Sequence, residues 1–343
     1  MSAHMQVMQA GVMQAGLDAP LVRHETPRCD TVVVLGGGGF VGSAIIEALA
    51  QAGLPAISAQ HHASHAPRLI TQRHCDATKP AEICDLLQGA SWVVNAVGGH
   101  HRTMLTATHA MAAAANGWCR MVHISSMAVY GDARGYVGET APLRAASRYG
   151  AAKIACENAL AGTGATILRP GLVYGPGSVQ WVGRIGRLLR ARRLGDLGKH
   201  GDGRCNLVHA HDLGRAVVAA IRSRDSHGRT MNIGMTAPPR WNDFLVAFGR
   251  SIGAVPVARI AGWRLAVEAA VAAPPLYLAK RMLAAPGTIP EPISPALLKL
   301  FAQDIALDCT RSHRLLGPPR ISLADGLAQS AAWFLETHGL HAE

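Results

Sequence analysis

Tyr149 and Lys153 stand four residues apart in the run Tyr149-Gly150-Ala151-Ala152-Lys153, a spacing that sets both side chains on one face of a helix. An ammonium beside a phenol lowers the phenol pKa from its usual value of about 10. A phenolate formed near neutrality can take or return the proton that accompanies hydride transfer. Upstream, Ser125 and Ser126 close an apolar run and open Ser125-Ser126-Met127-Ala128-Val129-Tyr130-Gly131. A hydroxyl there can polarise a carbonyl and stabilise charge developing on its oxygen. Either signal alone is common: many helices contain YxxxK, and many strands end in serine. A third signal is the frame Gly36, Gly39 and Gly42 within Leu35-Gly36-Gly37-Gly38-Gly39-Phe40-Val41-Gly42. Glycines at this spacing let the chain turn tightly, approach a pyrophosphate and aim helix N-terminal amides at its charge.

The elements that would position these groups follow from the alternation of apolar runs. Thr31–Leu35, Ala56–Ala59, Leu69–His74, Trp92–Val97, Met121–Ser125 and Thr166–Leu168 read as six strands. Between them Ser43–Gln51, a segment containing Asp85–Gln88, Thr103–Asn116 and Tyr149–Leu160 read as helices. Strands alternating with helices make a parallel sheet covered on both faces. The glycine frame then lies between the first strand and first helix, the serines at the end of the fifth strand, and the Tyr-Lys pair on a later helix. After Gly175 the alternation weakens, and strand character returns near Asn206–His209 and Thr230–Ile233. The expected organisation is a disordered extension over 1–28, a dinucleotide-binding domain over 29–177 with returning elements at about 205–235, and a substrate-binding cap from 178–204 and 236–343.

Composition narrows the function classes. Of the 343 residues 49% are hydrophobic and 16% charged, enough apolar material for one large α/β domain with a smaller cap. The net charge of +11 is spread along the chain with no zinc-finger, basic-zipper or RRM signature, which argues against a nucleic-acid partner. Seven cysteines without a CxxC pair suit a reducing cytoplasm. The opening repeat of Met-Gln lacks the basic and apolar regions of a signal peptide. Residues 261–285 are apolar but interrupted by Arg264, Glu268, Pro274, Pro275 and Lys280, so no integral membrane span is expected. His61, His62 and His65 lack a carboxylate or cysteine partner nearby and read as a solvated loop, leaving no metal site.

The three signals, in this order, resemble the extended short-chain dehydrogenase/reductase family, also called the NAD-dependent epimerase/dehydratase family. The resemblance runs from about Thr31 onward. It continues through His123-Ile124-Ser125-Ser126, Leu168–Gly177 (LRPGLVYGPG), Gly201–Leu213 and Met231–Gly234. It implies a Rossmann doubly wound parallel sheet with a smaller, mostly helical C-terminal substrate-binding cap. It also implies Tyr149 as acid/base, Lys153 as partner of the nicotinamide ribose and the tyrosine, and Ser126 as the carbonyl-polarising hydroxyl. The cofactor contacts it implies are Gly36, Gly39, Phe40, Val41, Gly42, Gln60, Asp76, Ala77, Ala96, Val97, Tyr149, Lys153, Pro170 and Gly171. Among these Asp76 faces the adenine, while Pro170 and Gly171 border the nicotinamide. Asp212 matches a structural aspartate that caps a helix. Leu35 departs from the family's usual threonine at the opening of the glycine motif.

Counting from Gly42, the end of the second strand falls at Gln60, where an NAD enzyme carries a carboxylate for the ribose hydroxyls. Without that carboxylate NADP is favoured over NAD. Sugar-nucleotide members of the family carry an arginine before the cap strand, where this chain has Cys205 with Arg204 offset by one. No carboxylate pair follows the serines, which argues against a dehydratase. The C-terminal third, from Trp241-Asn242-Asp243-Phe244 to Asp308–Gly317, resembles the hydroxysteroid-dehydrogenase-like branch. The leading expectation is therefore an NAD(P)-dependent oxidoreductase interconverting a secondary alcohol and a ketone on a largely hydrophobic small molecule. A nucleotide-sugar epimerase and a non-catalytic cofactor-binding scaffold subunit are the alternatives, and a homodimer is the family's habit. The arginine run Trp181–Leu194 reads as a solvated face, or more sharply as a grip for a phosphate or an anionic lipid.

Overall fold

Val32, Val33, Val34 and Leu35 have no exposed surface at all. A strand that shows nothing to solvent on either face belongs at the centre of a helix-covered parallel sheet. The computed structural model describes residues 31–61, 70–115, 117–283 and 290–338. The whole of the expected extension over 1–28, together with His62 and His65, lies outside the described residues. In chain order the first half runs β1 (Val32–Leu35), α1 (Phe40–Gln51), β2 (Ala56–Gln60), β3 (Thr71–His74), α2 (Pro80–Leu87), β4 (Trp92–Asn95) and α3 (His101–Ala115). Then come β5 (Arg120–Ile124), β6 (Gly135–Val137), α4 (Arg148–Ala159), β7 (Thr166–Pro170) and β8 (Leu172–Tyr174). The second half contains α5 (Arg184–Arg190), β9 (Leu207–His209), α6 (Ala210–Arg222), β10 (Thr230–Ile233), α7 (Trp241–Ser251) and α8 (Gly262–Val267). It closes with α9 (Ala273–Leu283), α10 (Pro295–Phe301), β11 (Ile305–Leu307), α11 (Thr310–Leu316) and α12 (Leu323–His338).

Seven strands pair in the order β10-β7-β5-β4-β1-β2-β3, every pair parallel. This is the doubly wound Rossmann arrangement. Strand order reverses beside β1, between β2 and β4, and the crevice outside the carboxyl ends of the strands at such a reversal is where ligands bind. On one face α1 and α6 pack so tightly that a Cβ on Gly214 would meet the Ala44 carbonyl oxygen at 2.5 Å. The other face is covered by α2, α3 and α4 over a core of small residues that includes Ala110, Ala114 and Ala115.

The first helix begins at Phe40, three residues before the expected Ser43, because Gly39 takes the extended N-cap conformation. The return near Asn206 differs from expectation. β9 pairs with β8 in a separate two-stranded ribbon, and only β10 rejoins the main sheet. The cause is the divergence at Gly171: its amide bonds the Ile233 carbonyl at 2.9 Å, while that of Leu172 turns to Asn206 at 2.6 Å. A second ribbon joins β6 to β11. It is held by Asn206, which donates to the Ile305 carbonyl at 2.7 Å, and by Gln303, which donates to the carbonyls of Gly131 and Ala133, each at 2.9 Å.

Four of the five phenylalanines gather in the helical C-terminal region, here called the cap: Phe244, Phe248, Phe301 and Phe334 are buried around Trp241. The Trp241 and Phe301 rings meet edge to face at 4.6 Å, a favourable aromatic geometry. The arginine run of α5 is neither a solvated face nor a free phosphate grip. Arg184 donates to the Pro292 carbonyl at 2.6 Å, and Arg187 to Glu291 at 2.6 Å. Arg190 donates to the His338 carbonyl at 3.2 Å, while Arg193 binds both oxygens of Glu268. These arginines staple distant segments of the cap to one another.

Candidate active site

The glycine loop is shaped by contacts that no side chain would allow. Gly36 has φ +77°, where L side chains are strained, and a Cβ there would lie 3.0 Å from the Ala96 carbonyl oxygen. A Cβ on Gly42 would drive into the Gly36 carbonyl. The loop therefore lies flat against the start of α1. Gly39 caps that helix with no side-chain hydrogen bond, and its first turn contains no acid. The free N–H groups and the positive end of α1 are thus available to an anion. This cradle fits the pyrophosphate of a dinucleotide.

Ser126 occupies the N-cap of a short 3₁₀ turn over Met127–Tyr130, its hydroxyl accepting from the Ala128 amide at 3.2 Å. Opposite it α4 begins at Ser147, whose hydroxyl accepts from the Gly150 amide at 3.0 Å. A Cβ on Gly150 would lie 2.5 Å from the Ala128 carbonyl oxygen. The glycine inside the Tyr-Lys motif is what lets helix and turn touch, and that contact sets the Tyr149 phenol close to Ser126. Tyr149 keeps 41% of its surface open to the cleft. Lys153 is buried, with its ammonium donating to the Ile124 carbonyl at 2.7 Å and lying 5.9 Å from the centre of the Tyr149 ring.

The electrostatics correct one expectation. Burial pushes the Tyr149 phenol above its ordinary pKa and outweighs the hydrogen bond from Ser126. The ammonium expected to lower it is turned toward a backbone carbonyl instead. Burial also pulls Lys153 down to about 8, while Cys156 and Glu157 act in the opposite direction. The arrangement sets the phenol beside a serine hydroxyl, above a lysine whose basicity burial has lowered.

Behind the site runs a buried polar network. Ser125 donates to Glu157, and Arg169 binds Glu157 at 2.6 Å. The same guanidinium donates to the Tyr130 hydroxyl at 2.9 Å, which donates in turn to Asn232 at 2.6 Å. The network ties α4 to β7, β10 and the serine turn. Sequence reasoning missed it, although a charged residue within the buried strand Thr166-Ile167-Leu168-Arg169-Pro170 demands a partner.

Phe40, Val41, Ala96, Val97, Ser126, Tyr149, Lys153, Pro170 and Gly171 line one cleft of about 920 Å³. Gly36, Gly39 and Gly42 underlie its edge without lining it, and Gln60, Asp76 and Ala77 lie apart from its walls. Gln60 ends β2 as counted, but it is buried and donates to Gln72 at 2.8 Å. One oxygen of Asp76 accepts from the Thr78 amide and hydroxyl, at 3.0 and 2.7 Å, and the other lies 3.9 Å from the Lys79 ammonium. Asp212 is structural: it accepts from the amides of Arg320 and Ile321, at 3.0 and 3.1 Å, ahead of α12. The cleft wall adds residues the sequence did not single out, among them Arg134 just before β6 and, from the cap, Lys299 and Gln303. Arg134 and Lys299 are exposed and have no ion-pair partner among the described residues.

Comparison with known proteins places this geometry. The model of the NAD dependent epimerase/dehydratase family matches residues 32–234. Protein YeeZ of Escherichia coli (strain K12) is 33% identical over 140 residues, 40% of this chain and 47% of that protein. The chain thus spans about half the length of the curated relative it matches. Among solved structures, UDP-glucuronic acid 4-epimerase from Bacillus cereus in complex with NAD superposes with TM-score 0.68 at 19% identity, covering 91% of this chain and 99% of that one. UDP-glucose 4-epimerase from Thermotoga maritima, with UDP-glucose, gives 0.69 at 17% identity, covering 90% and 99%.

Proposed function

The chain belongs to the NAD dependent epimerase/dehydratase family, and from that premise we propose an NAD(P)-dependent enzyme that exchanges hydrogen at a secondary alcohol carbon of a nucleotide-linked sugar, as an epimerase. The observation that carries this reading is the placing of Ser126, Tyr149 and Lys153 in one wall of the same cleft that Phe40 and Val41, at the start of α1, enter from the other side. When bound, the nicotinamide supplies the two-electron acceptor and donor for that carbon. As the phenolate, Tyr149 would take the alcohol proton and, as the phenol so formed, give it back; Ser126 would hold the same oxygen, and Lys153, 5.9 Å from the centre of the Tyr149 ring, would position the ribose. The first turn of α1 holds the pyrophosphate. Arg134 and Lys299 supply cations where a nucleoside diphosphate would need them, and the neighbours' UDP-sugars favour this substrate class.

Gln60 stands where a carboxylate would repel a 2′-phosphate, which favours NADP; the Bacillus cereus neighbour holds NAD. A second reading rests on the apolar part of the wall. Met127, Leu172, Val173, Val179 and Leu300 suit a hydrophobic alcohol or ketone, whose net oxidation or reduction would consume free cofactor.

The test is to incubate purified protein with UDP-glucose and UDP-glucuronic acid without added cofactor and to resolve the C4 epimers. Epimer formation that Tyr149→Phe abolishes supports the first reading. No epimer, with stoichiometric NAD(P)H change on apolar alcohols, replaces it with the second. Neither activity, with no cofactor bound, overturns both.

A further inference from the structure

Most large apolar side chains of this protein are spent inside the sheet or the cap, but the helical run 262–283 turns several outward. Trp263 is 70% exposed, Val271 66%, Leu278 59% and Met282 73%. Trp263, Val267 and Val271 recur every four residues, and so do the buried Leu265, Ala269 and Ala273. A four-residue repeat drifts around a regular α-helix. The wider π turn over Glu268–Ala272 that joins α8 to α9 counters the drift, keeping the exposed residues on one side and the buried ones on the other. From Pro274 through Ala279 every side chain is partly or fully exposed, Tyr277 among them. An apolar face of this extent on a free protein marks an interaction surface.

The charges say what it would meet. Glu268 is the single acid in 262–283, and both its oxygens are taken by Arg193. The other charged residues of the run, Arg264, Lys280 and Arg281, are cationic, on a chain of net charge +11. A second copy of the same face would set cations against cations. An anionic bilayer offers an apolar boundary beneath a layer of negative charge, with a zone that suits Trp and Tyr rings. No helix among the described residues is long and apolar enough to cross a membrane. We propose that 262–283 lies in the plane of an anionic lipid surface, with Trp263, Val271, Leu278 and Met282 inserted and Arg264 among the headgroups.

The test is co-sedimentation of the full chain with vesicles of phosphatidylcholine alone and of phosphatidylcholine mixed with phosphatidylglycerol. The expected result is binding to the mixed vesicles that weakens with salt, reduced at least about tenfold in Trp263→Ser/Leu278→Ser/Met282→Ser. The replaced side chains are exposed, and an unchanged thermal midpoint would verify that the variant is folded. Absence of wild-type binding to mixed vesicles, or equal binding by the folded variant, overturns the proposal. So does light scattering in which the variant only dissociates a lipid-free dimer, since the face would then belong to a second copy.

Discussion

The two walls of the cleft are built by opposite means. On the sheet side two of the three groups proposed to react are locked from behind: Lys153 by the Ile124 carbonyl and Ser126 by its own turn, with the helix beneath them held by the Glu157–Arg169 pair. Elsewhere in the wall Arg134, just before β6, and Lys299 of the cap line the cleft from exposed positions without ion-pair partners among the described residues. The contrast separates what must be the same in every turnover from what selects the molecule acted upon. Groups that handle protons need fixed geometry, because catalysis falls steeply with small misplacement. Groups that recognise charge on a substrate act over longer distances and tolerate mobility.

The sharpest way to break this contrast is at the phenol. Tyr149→Phe is expected to lower kcat by about a hundredfold to ten-thousandfold while dinucleotide affinity, read by calorimetry, stays nearly unchanged. Next comes the buried pair. Glu157→Ala leaves the Arg169 guanidinium without its counter-charge and is expected to cost about 3–5 kcal/mol in denaturant unfolding. Arg169→Met in the same chain should return part of that loss. If Glu157→Ala is neutral, the sheet-side wall is not locked as described.

A smaller effect follows from Lys153. A lysine whose folded pKa, about 8, lies below its unfolded value costs stability while it must stay charged. That cost is released as pH rises from about 8 toward 10.5, since the unfolded state then binds more protons than the folded one. The stability of the wild type relative to Lys153→Met should therefore rise across this window, by on the order of 3 kcal/mol. A flat difference would place the ammonium in water. Last, Lys299→Ala is expected to raise KM for a nucleotide-linked substrate by about tenfold, near 1.4 kcal/mol, with kcat within about twofold. A fall in kcat instead would move Lys299 into the fixed wall.

The fixed wall was also the legible one. Gly36, Gly42, Ser126, Tyr149 and Lys153 announce themselves because each acts through its own turn or helix, where a few neighbouring residues carry the whole constraint. What could not be read depends on partners far along the chain. Arg187 meets Glu291 104 residues later, and Arg190 meets His338 148 residues later. Nothing local to 181–194 distinguishes a staple from a solvated stripe. β9 has the composition of a sheet strand, but the turn at Gly171 sends β8 to meet it apart from the main sheet. The direction of the Tyr149 shift was misjudged because spacing places the lysine near the phenol but does not show where its ammonium points.

The ribbon of β6 and β11 has a consequence for the order in which this protein becomes functional. The segment just after the serine turn is completed by residues 303–307, roughly 170 positions downstream. During synthesis the sheet and its glycine cradle can emerge and fold long before that segment leaves the ribosome. A nascent chain at that stage would have a place for a dinucleotide but an unfinished wall around Ser126. The ability to bind cofactor would arrive early and the ability to turn substrate over only near the end, so the late strand acts as a seal on a finished molecule.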